Sequence, residues 1–159
     1  MSSVLGTDQF CSVARSLEVL GDKWSLLIVR QAFFGETRFS QFRDSLGMAK
    51  NVLADRLATL VSFGVLAPRA YREDGERERE EYILTAPGRE LVYVLGALSG
   101  WGDRHRPSDH SPTRIYQDGE TGERVELQFV TAAGRVVHGT DVVATEPLER
   151  AAAGSSAPR

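Results

Sequence analysis

Two short stretches of helical periodicity, broken at Gly47 and followed at once by two strand-like stretches, restrict this chain more than any other feature. Ser40 can cap a helix over residues 41–46 that ends at Gly47. A second helix runs from Ala49 to Phe63, where Leu53, Leu57 and Leu60 recur at the spacing of one inward face. Gly64 stands where a helix C-terminus favours glycine. Two short helices joined by a glycine-containing turn make a helix-turn-helix. Leu66–Arg72 and Arg79–Leu84 then read as strands, and the Asp74-Gly75 pair between them is a strong hairpin signal. A hairpin directly behind the second helix is a wing. The predicted fold class is α+β, mainly α: a winged helix-turn-helix domain with a small C-terminal β-rich appendage.

The flanks fit that frame. Asp8 is placed to cap a first helix ending at Gly21, with Val13, Leu17 and Leu20 on one face. Asp22 can cap the next, whose apolar stripe is Trp24, Leu27, Ile28 and Ala32 before Gly35 breaks it. Behind the wing, Thr85 can cap a last long helix with Pro87 tolerated in its first turn. Leu91, Val94, Leu95, Leu98 and Trp101 recur along it at helical spacing. The expected organisation is a domain over residues 1–106, a Pro- and Ser-containing linker over 107–112, and an appendage over 113–147. In the appendage, Arg114–Gln117, Arg124–Val130 and Gly134–Val137 read as strands. Residues 148–159 are small and polar and read as a disordered tail.

Several function classes are disfavoured. No apolar run approaches the ~18 residues of a membrane span, and the first residues lack a basic region followed by an apolar core. The expectation is a cytoplasmic protein with no membrane partner. The single cysteine, Cys11, leaves no internal disulfide and no paired-cysteine zinc site. His105, His110 and His138 lack metal-ligand spacing, so neither metal nor cofactor is expected. There is no phosphate-cradling glycine loop and no Gly-x-Ser-x-Gly nucleophile elbow. Glu80 and Glu81 adjoin on a strand and so point to opposite faces instead of sharing a site. No enzyme is expected.

The formal net charge of −3 argues against nucleic acid when taken alone. Between residues 38 and 72, however, six basic residues (Arg38, Arg43, Lys50, Arg56, Arg69, Arg72) face two acidic ones, Asp44 and Asp55. Phosphate binding needs one positive face, not a basic whole. With Leu53, Leu57 and Leu60 inward, Lys50, Asn51, Ala54 and Asp55 face outward at the start of the helix that a major groove admits. Asn51 can read adenine through its paired donor and acceptor, and Lys50 can reach guanine or phosphate. Arg56 is assigned to phosphate or base, while Arg38, Ser40 and Gln41 fix register on the backbone. Arg72, Arg77 and Arg79 are the wing candidates. The partner implied is double-stranded DNA, against the alternative that these are ordinary solvated faces.

Several segments together resemble one family. Cys11 to Arg30 is similar to the opening of HxlR-type transcriptional regulators, which are related to MarR-like proteins. Arg38-Phe39-Ser40-Gln41-Phe42 resembles the family's first helix-turn-helix element, and Val52 to Leu57 its recognition helix. Glu81 to Thr85, through Gly88, resembles the strand and helix start behind the wing. The resemblance implies a bacterial one-component regulator, a homodimer paired through its terminal helices. Val13, Leu17, Leu91, Leu95, Leu98 and Trp101 are then the interface candidates. Gly96 and Gly100, four apart, are compatible with close helix approach, as is simple intramolecular packing. Such a protein is expected to repress from an inverted-repeat operator and to be released by a small-molecule effector or a thiol-reactive signal. A winged helix used only for protein contacts is the alternative. Some family members sense oxidants through a cysteine at the place of Cys11, so Cys11 resembles a redox sensor. A small buried hydrophobe is the other reading. Two departures stand out: Ala49 occupies a position where serine is common, and the wing carries Glu76-Arg77-Glu78-Arg79-Glu80 in place of a usual proline.

Overall fold

The computed structural model describes residues 11–72, 75, 77–110, 112 and 114–145. Asp8 as a cap, Asp74 of the expected turn, and the tail over 148–159 lie outside the described residues. The chain divides into two compact units at residues 112 and 113.

In the first unit, α1 (Ser12–Leu20) starts with Cys11 as its extended N-cap residue, so Cys11 precedes the first turn. α2 (Lys23–Phe33) is capped as its sequence dictates: the Asp22 carboxylate accepts from the backbone of Trp24 and Ser25 at 2.9 and 3.1 Å. α3 (Phe39–Leu46) begins two residues earlier than expected, with Arg38 and not Ser40 as its N-cap residue. The Gln41 side chain supplies the cap, its oxygen accepting from the backbone of Arg38 and Thr37 at 2.9 and 3.0 Å. Gly47 closes α3 at φ 62°, a left-handed conformation that glycine adopts without steric cost. α4 (Lys50–Ser62) follows from an extended Ala49 that provides no side-chain cap.

The wing is an antiparallel pair, β1 (Leu66–Tyr71) and β2 (Arg79–Leu84), in register from Leu66 opposite Leu84 to Tyr71 opposite Arg79. A third short pairing, absent from the sequence reading, joins it to the helices. Arg38 bridges Glu81, and the Tyr82 amide donates to the Thr37 carbonyl at 2.7 Å. Behind the wing the expected single helix is two: α5 (Ala86–Glu90) and α6 (Val92–His105), with the chain turning at Leu91. α5 is anchored by Thr85, whose hydroxyl accepts from the Gly88 amide at 3.1 Å. α6 is anchored by Leu95 in the core. Leu91 lies between two anchors that one straight helix does not serve.

Ile28, Val29, Phe42, Leu53, Leu57, Leu60 and Leu66 are at most 1% exposed and form the centre of the core. They come from α2, α3, α4 and β1, so the helix-turn-helix and the wing share one hydrophobic centre. Truncating any of the large ones to alanine typically costs about 2–5 kcal/mol.

The second unit holds two small hairpins. β3 (Tyr116–Gln117) pairs with β4 (Arg124–Val125), and β5 (Phe129–Val130) with β6 (Val136–Val137). The strand expected over Arg124–Val130 is thus two strands belonging to different hairpins. Leu127 and Phe129 follow no consistent alternation with their neighbours, which is how a chain passing from one hairpin to the next reads. No helix among the described residues is long and apolar enough to cross a membrane.

Candidate nucleic-acid interface

The α3–α4 turn sets what α4 can present. Met48 tucks into the core at 5% exposure, which fixes the helix entry, and Leu53, Leu57 and Leu60 pin the inner face. Lys50, Asn51, Ala54, Asp55 and Ala58 are consequently exposed along the opposite side. The charged and hydrogen-bonding groups cluster in the first two turns, the part of such a helix that reaches base edges.

Arg56 does not belong to that outward face. Its side chain lies half-buried with Nε 3.5 Å from the Asp22 carboxylate, which ties the middle of α4 to the N-terminus of α2. Asp22 is thereby engaged three ways: it accepts from two backbone amides, accepts the Ser25 hydroxyl at 2.6 Å, and faces the Arg56 guanidinium. Partial burial raises its carboxyl, but the Ser25 hydrogen bonds and the Arg56 charge outweigh that and hold it below its ordinary value. A depressed carboxyl stabilises the fold above its unfolded-state value, and that stabilisation fades as pH falls through the lowered one. Asparagine caps a helix about as well as aspartate, so Asp22→Asn loses only the charge-dependent part and is expected to be roughly 0.5–1 kcal/mol less stable than wild type in urea unfolding at pH 6–7. The gap should close below about pH 4. A gap that stays constant down to pH 3 would remove Asp22 from this role.

Arg38, Ser40 and Gln41 separate into different tasks. Ser40 is exposed in the first turn of α3. Gln41 spends its oxygen on the helix cap. The Arg38 guanidinium stacks over the Tyr71 ring at 4.6 Å, at the base of the wing. Beside it Arg69 and Glu81 pair at 2.7 Å across the two strands. Thr37, Arg69 and Arg38 together hold the Glu81 carboxyl below its ordinary value. From the sequence Arg69 counted only toward the basic face and Thr37 had no role, yet Thr37 fastens Glu81 of the wing to the start of α3 and Arg69 holds the same carboxylate from β1. Arg72, Arg77 and Arg79 are exposed toward the tip, with Glu78 and Glu80 among them.

The interface candidates also separate. Val13, Leu17, Leu98 and Trp101 are 44–66% exposed, and Tyr93 and Val94 are exposed as well, at 63% and 39%. Together with Leu20 and Leu26, several of them line an open apolar groove of about 450 Å³ among α1, α2 and α6. Leu95, by contrast, is buried in the protomer's own core, and Leu91 packs against that core half-buried. Leu95 is therefore corrected from the partner-facing set because it belongs to the protomer's own core, whereas Leu91 also lines the groove. A Cβ on Gly100 would meet only the Arg104 guanidinium, at 3.4 Å, so no close approach within the protomer explains that glycine. Cys11 is half-buried at the head of α1. Arg15, one turn on, donates to the Ser12 hydroxyl at 3.1 Å. No cluster of three metal-binding side chains exists among the described residues.

Comparison with known proteins agrees with this architecture. The family model described as HxlR-like helix-turn-helix matches residues 19–110. An uncharacterised HTH-type transcriptional regulator of Mycobacterium tuberculosis is 38% identical over 119 residues, covering 75% of this chain and 74% of that one. The crystal structure of PA1607, a candidate transcription factor, superposes with a TM-score of 0.74 at 37% identity, over 88% of this chain and 97% of that one. The redox regulator HypR in its reduced form gives a TM-score of 0.54 at 27% identity, over 60% of this chain and 94% of that one. These relatives are regulators and not enzymes. The helix-turn-helix, the wing fastened behind it and this match over most of the first unit make the chain a member of the HxlR-like helix-turn-helix family of transcriptional regulators.

Proposed function

We propose that this regulator represses transcription as a homodimer bound to an inverted-repeat operator, with α4 of each protomer in a major groove. The observation that carries this reading is the outward start of α4, where Lys50 and Asn51 stand exposed above a helix pinned from behind by three buried leucines. Asn51 is assigned to base reading and Lys50 to guanine or phosphate. Ser40 and the arginines of the wing, Arg72, Arg77 and Arg79, are assigned to phosphate contacts. Arg56 and Arg38 act behind this surface: one braces α4 against α2, the other braces the wing. Pairing through Val13, Leu17, Leu98 and Trp101 would cover exposed apolar side chains that a lone protomer leaves in water. A dimer seated on promoter DNA blocks polymerase without further chemistry, so repression is the role assigned. An effector in the α1–α6 groove, or a thiol-reactive signal at Cys11, would act by changing the spacing of the two recognition helices. The likeness to HypR supports the thiol route.

The test is fluorescence-anisotropy titration onto DNA from upstream of the protein's own gene, against scrambled duplex, at several salt concentrations. Sequence-selective binding is expected, with a slope of log affinity against log salt of about −0.9 for each phosphate neutralised. Equal, salt-insensitive or absent binding to both duplexes would transfer this fold to protein contacts and defeat the reading.

A further inference from the structure

The outward face of α4 carries an acid where DNA would be met. With about 3.6 residues per turn, the line opposite the buried Leu53, Leu57 and Leu60 falls between Asn51 and Asp55, each within about 30° of it. These two side chains, one turn apart, point most directly away from the core, and both are exposed. Asn51 suits a base edge. Asp55 does not suit DNA in general, because its carboxylate is repelled by phosphate. Its place in the helix does not favour it either. Aspartate is among the weaker helix formers, and at the sixth position of α4 it lies beyond the first turn, in which the helix dipole favours acids. Its neighbours one turn away are Asn51, Val52, Ala58 and Thr59, none of them basic. Among the described residues no hydrogen bond or ion pair engages its carboxylate. The Thr59 hydroxyl donates to the Asp55 main-chain carbonyl, at 2.9 Å. Asp22 and Asp44 of the same unit, by contrast, each face an arginine.

The residues beside Asp55 allow a close approach. Ala54 and Ala58 are exposed on the same side of the helix and carry only a methyl, so the backbone of α4 can come near a groove floor. Aspartate, with a single methylene before its carboxylate, needs that approach to reach a base. In the major groove the groups from which a carboxylate can accept are the exocyclic amines of cytosine and adenine. The adenine amine lies between its own N7 and the O4 of thymine, both acceptors, which oppose the second carboxylate oxygen. The cytosine amine has an acceptor on one side only. Asn51, with a donor and an acceptor, matches adenine; Asp55, with two acceptors, matches cytosine.

We infer that Asp55 is a specificity residue that accepts from the N4 amine of a cytosine, about two base pairs from the adenine assigned to Asn51. Four residues advance ~6 Å along α4 and one base pair ~3.4 Å along a strand, which sets that spacing for a helix running along the groove. The inference rests on the reading above that places α4 in a major groove.

The test selects binding sites for the full chain from a randomised duplex library, in parallel with Asp55→Ala, Asp55→Asn and Asn51→Ala. Anisotropy titrations on single-base variants of the selected duplex then measure each preference. Wild type is expected to prefer cytosine at one position of each half-site by roughly tenfold. Asp55→Ala should reduce that preference to within about twofold, keep the others, and bind scrambled DNA at least as tightly. Asp55→Asn should move the preference at that position toward adenine. An Asp55→Ala profile that matches wild type at every position, with all duplexes bound more tightly, overturns the inference and leaves the carboxylate a charge that weakens binding everywhere alike. A preference for adenine in wild type, lost in Asp55→Ala, overturns the assignment to cytosine. If Asn51→Ala loses its position and Asp55→Ala loses none, only the inference about Asp55 fails. If wild type enriches no sequence, or both alanine variants keep the wild-type profile, the placement of α4 in the groove fails and takes Asp55 with it.

Discussion

Replacing Lys50 and Asn51 together by alanine is expected to lower operator affinity at least a hundredfold, with fold stability unchanged within about 0.5 kcal/mol. Both side chains are exposed, so their removal opens no cavity and strands no buried partner. A bidentate base contact is worth about 1–3 kcal/mol of discrimination. In a dimer each substitution counts twice, so the losses multiply. The two changes are also expected to differ in kind. Asn51→Ala alone should flatten the preference for operator over scrambled DNA and leave the salt slope nearly intact. Lys50→Ala alone, if the ammonium meets phosphate, should weaken both duplexes and reduce the slope by roughly one for each contact removed. Anisotropy titrations at three salt concentrations separate these outcomes. Retained selectivity in the double variant would mean that α4 does not lie in the groove as assigned.

Gly88→Ala is expected to cost roughly 3 kcal/mol and lower the melting temperature by about 10 °C. The position looks tolerant, since α5 is helical and alanine is the better helix former. The surroundings reverse that expectation. An added Cβ would sit 2.1 Å from the Val65 carbonyl oxygen and 3.1 Å from a Leu84 methyl. The carbonyl cannot move aside freely, because it accepts from the Thr85 amide at 3.1 Å, with the Thr85 hydroxyl also 3.1 Å away. Relief requires α5 to lift from the start of β1, which takes the Thr85 cap and the Leu84 packing with it. Gly100→Ala is the control: its new methyl meets only the movable end of Arg104, so it should be neutral or stabilising by up to about 1 kcal/mol. Thermal melts of the two variants side by side decide the matter. Equal stability would deny the close approach of α5.

Much of this fold was legible because its signals are local. The leucines at 53, 57 and 60, the glycine at 47 and the cap at Asp22 each state their role within a few residues. The Arg69–Glu81 pair could also have been found: once the hairpin is centred near Gly75, the register sets those two opposite each other. Other features needed the tertiary structure. Arg56 lies five residues beyond Asn51, so helical spacing sets it off the outward face but names no partner for it. Only the packing of α4 against α2 turns it toward Asp22. Thr37 and Arg38 form a strand pairing too short to alternate, so no periodicity marks it. Leu91, Leu95 and Leu98 obey one helical spacing, and only the packing of α6 against the core shows that Leu95 is buried while Leu98 is left exposed.

The pairing of Thr37 and Arg38 with β2 has a mechanical consequence. The wing root and the entry to α3 share a backbone pairing and a stacked ring, which makes them one jaw. A jaw of that kind has a fixed gape: it cannot widen or narrow its grip by swinging the wing alone. In the proposed dimer, adaptation to a different half-site is then expected to come from the outward side chains of α4, and a signal that loosens the grip is expected to act on the distance between jaws.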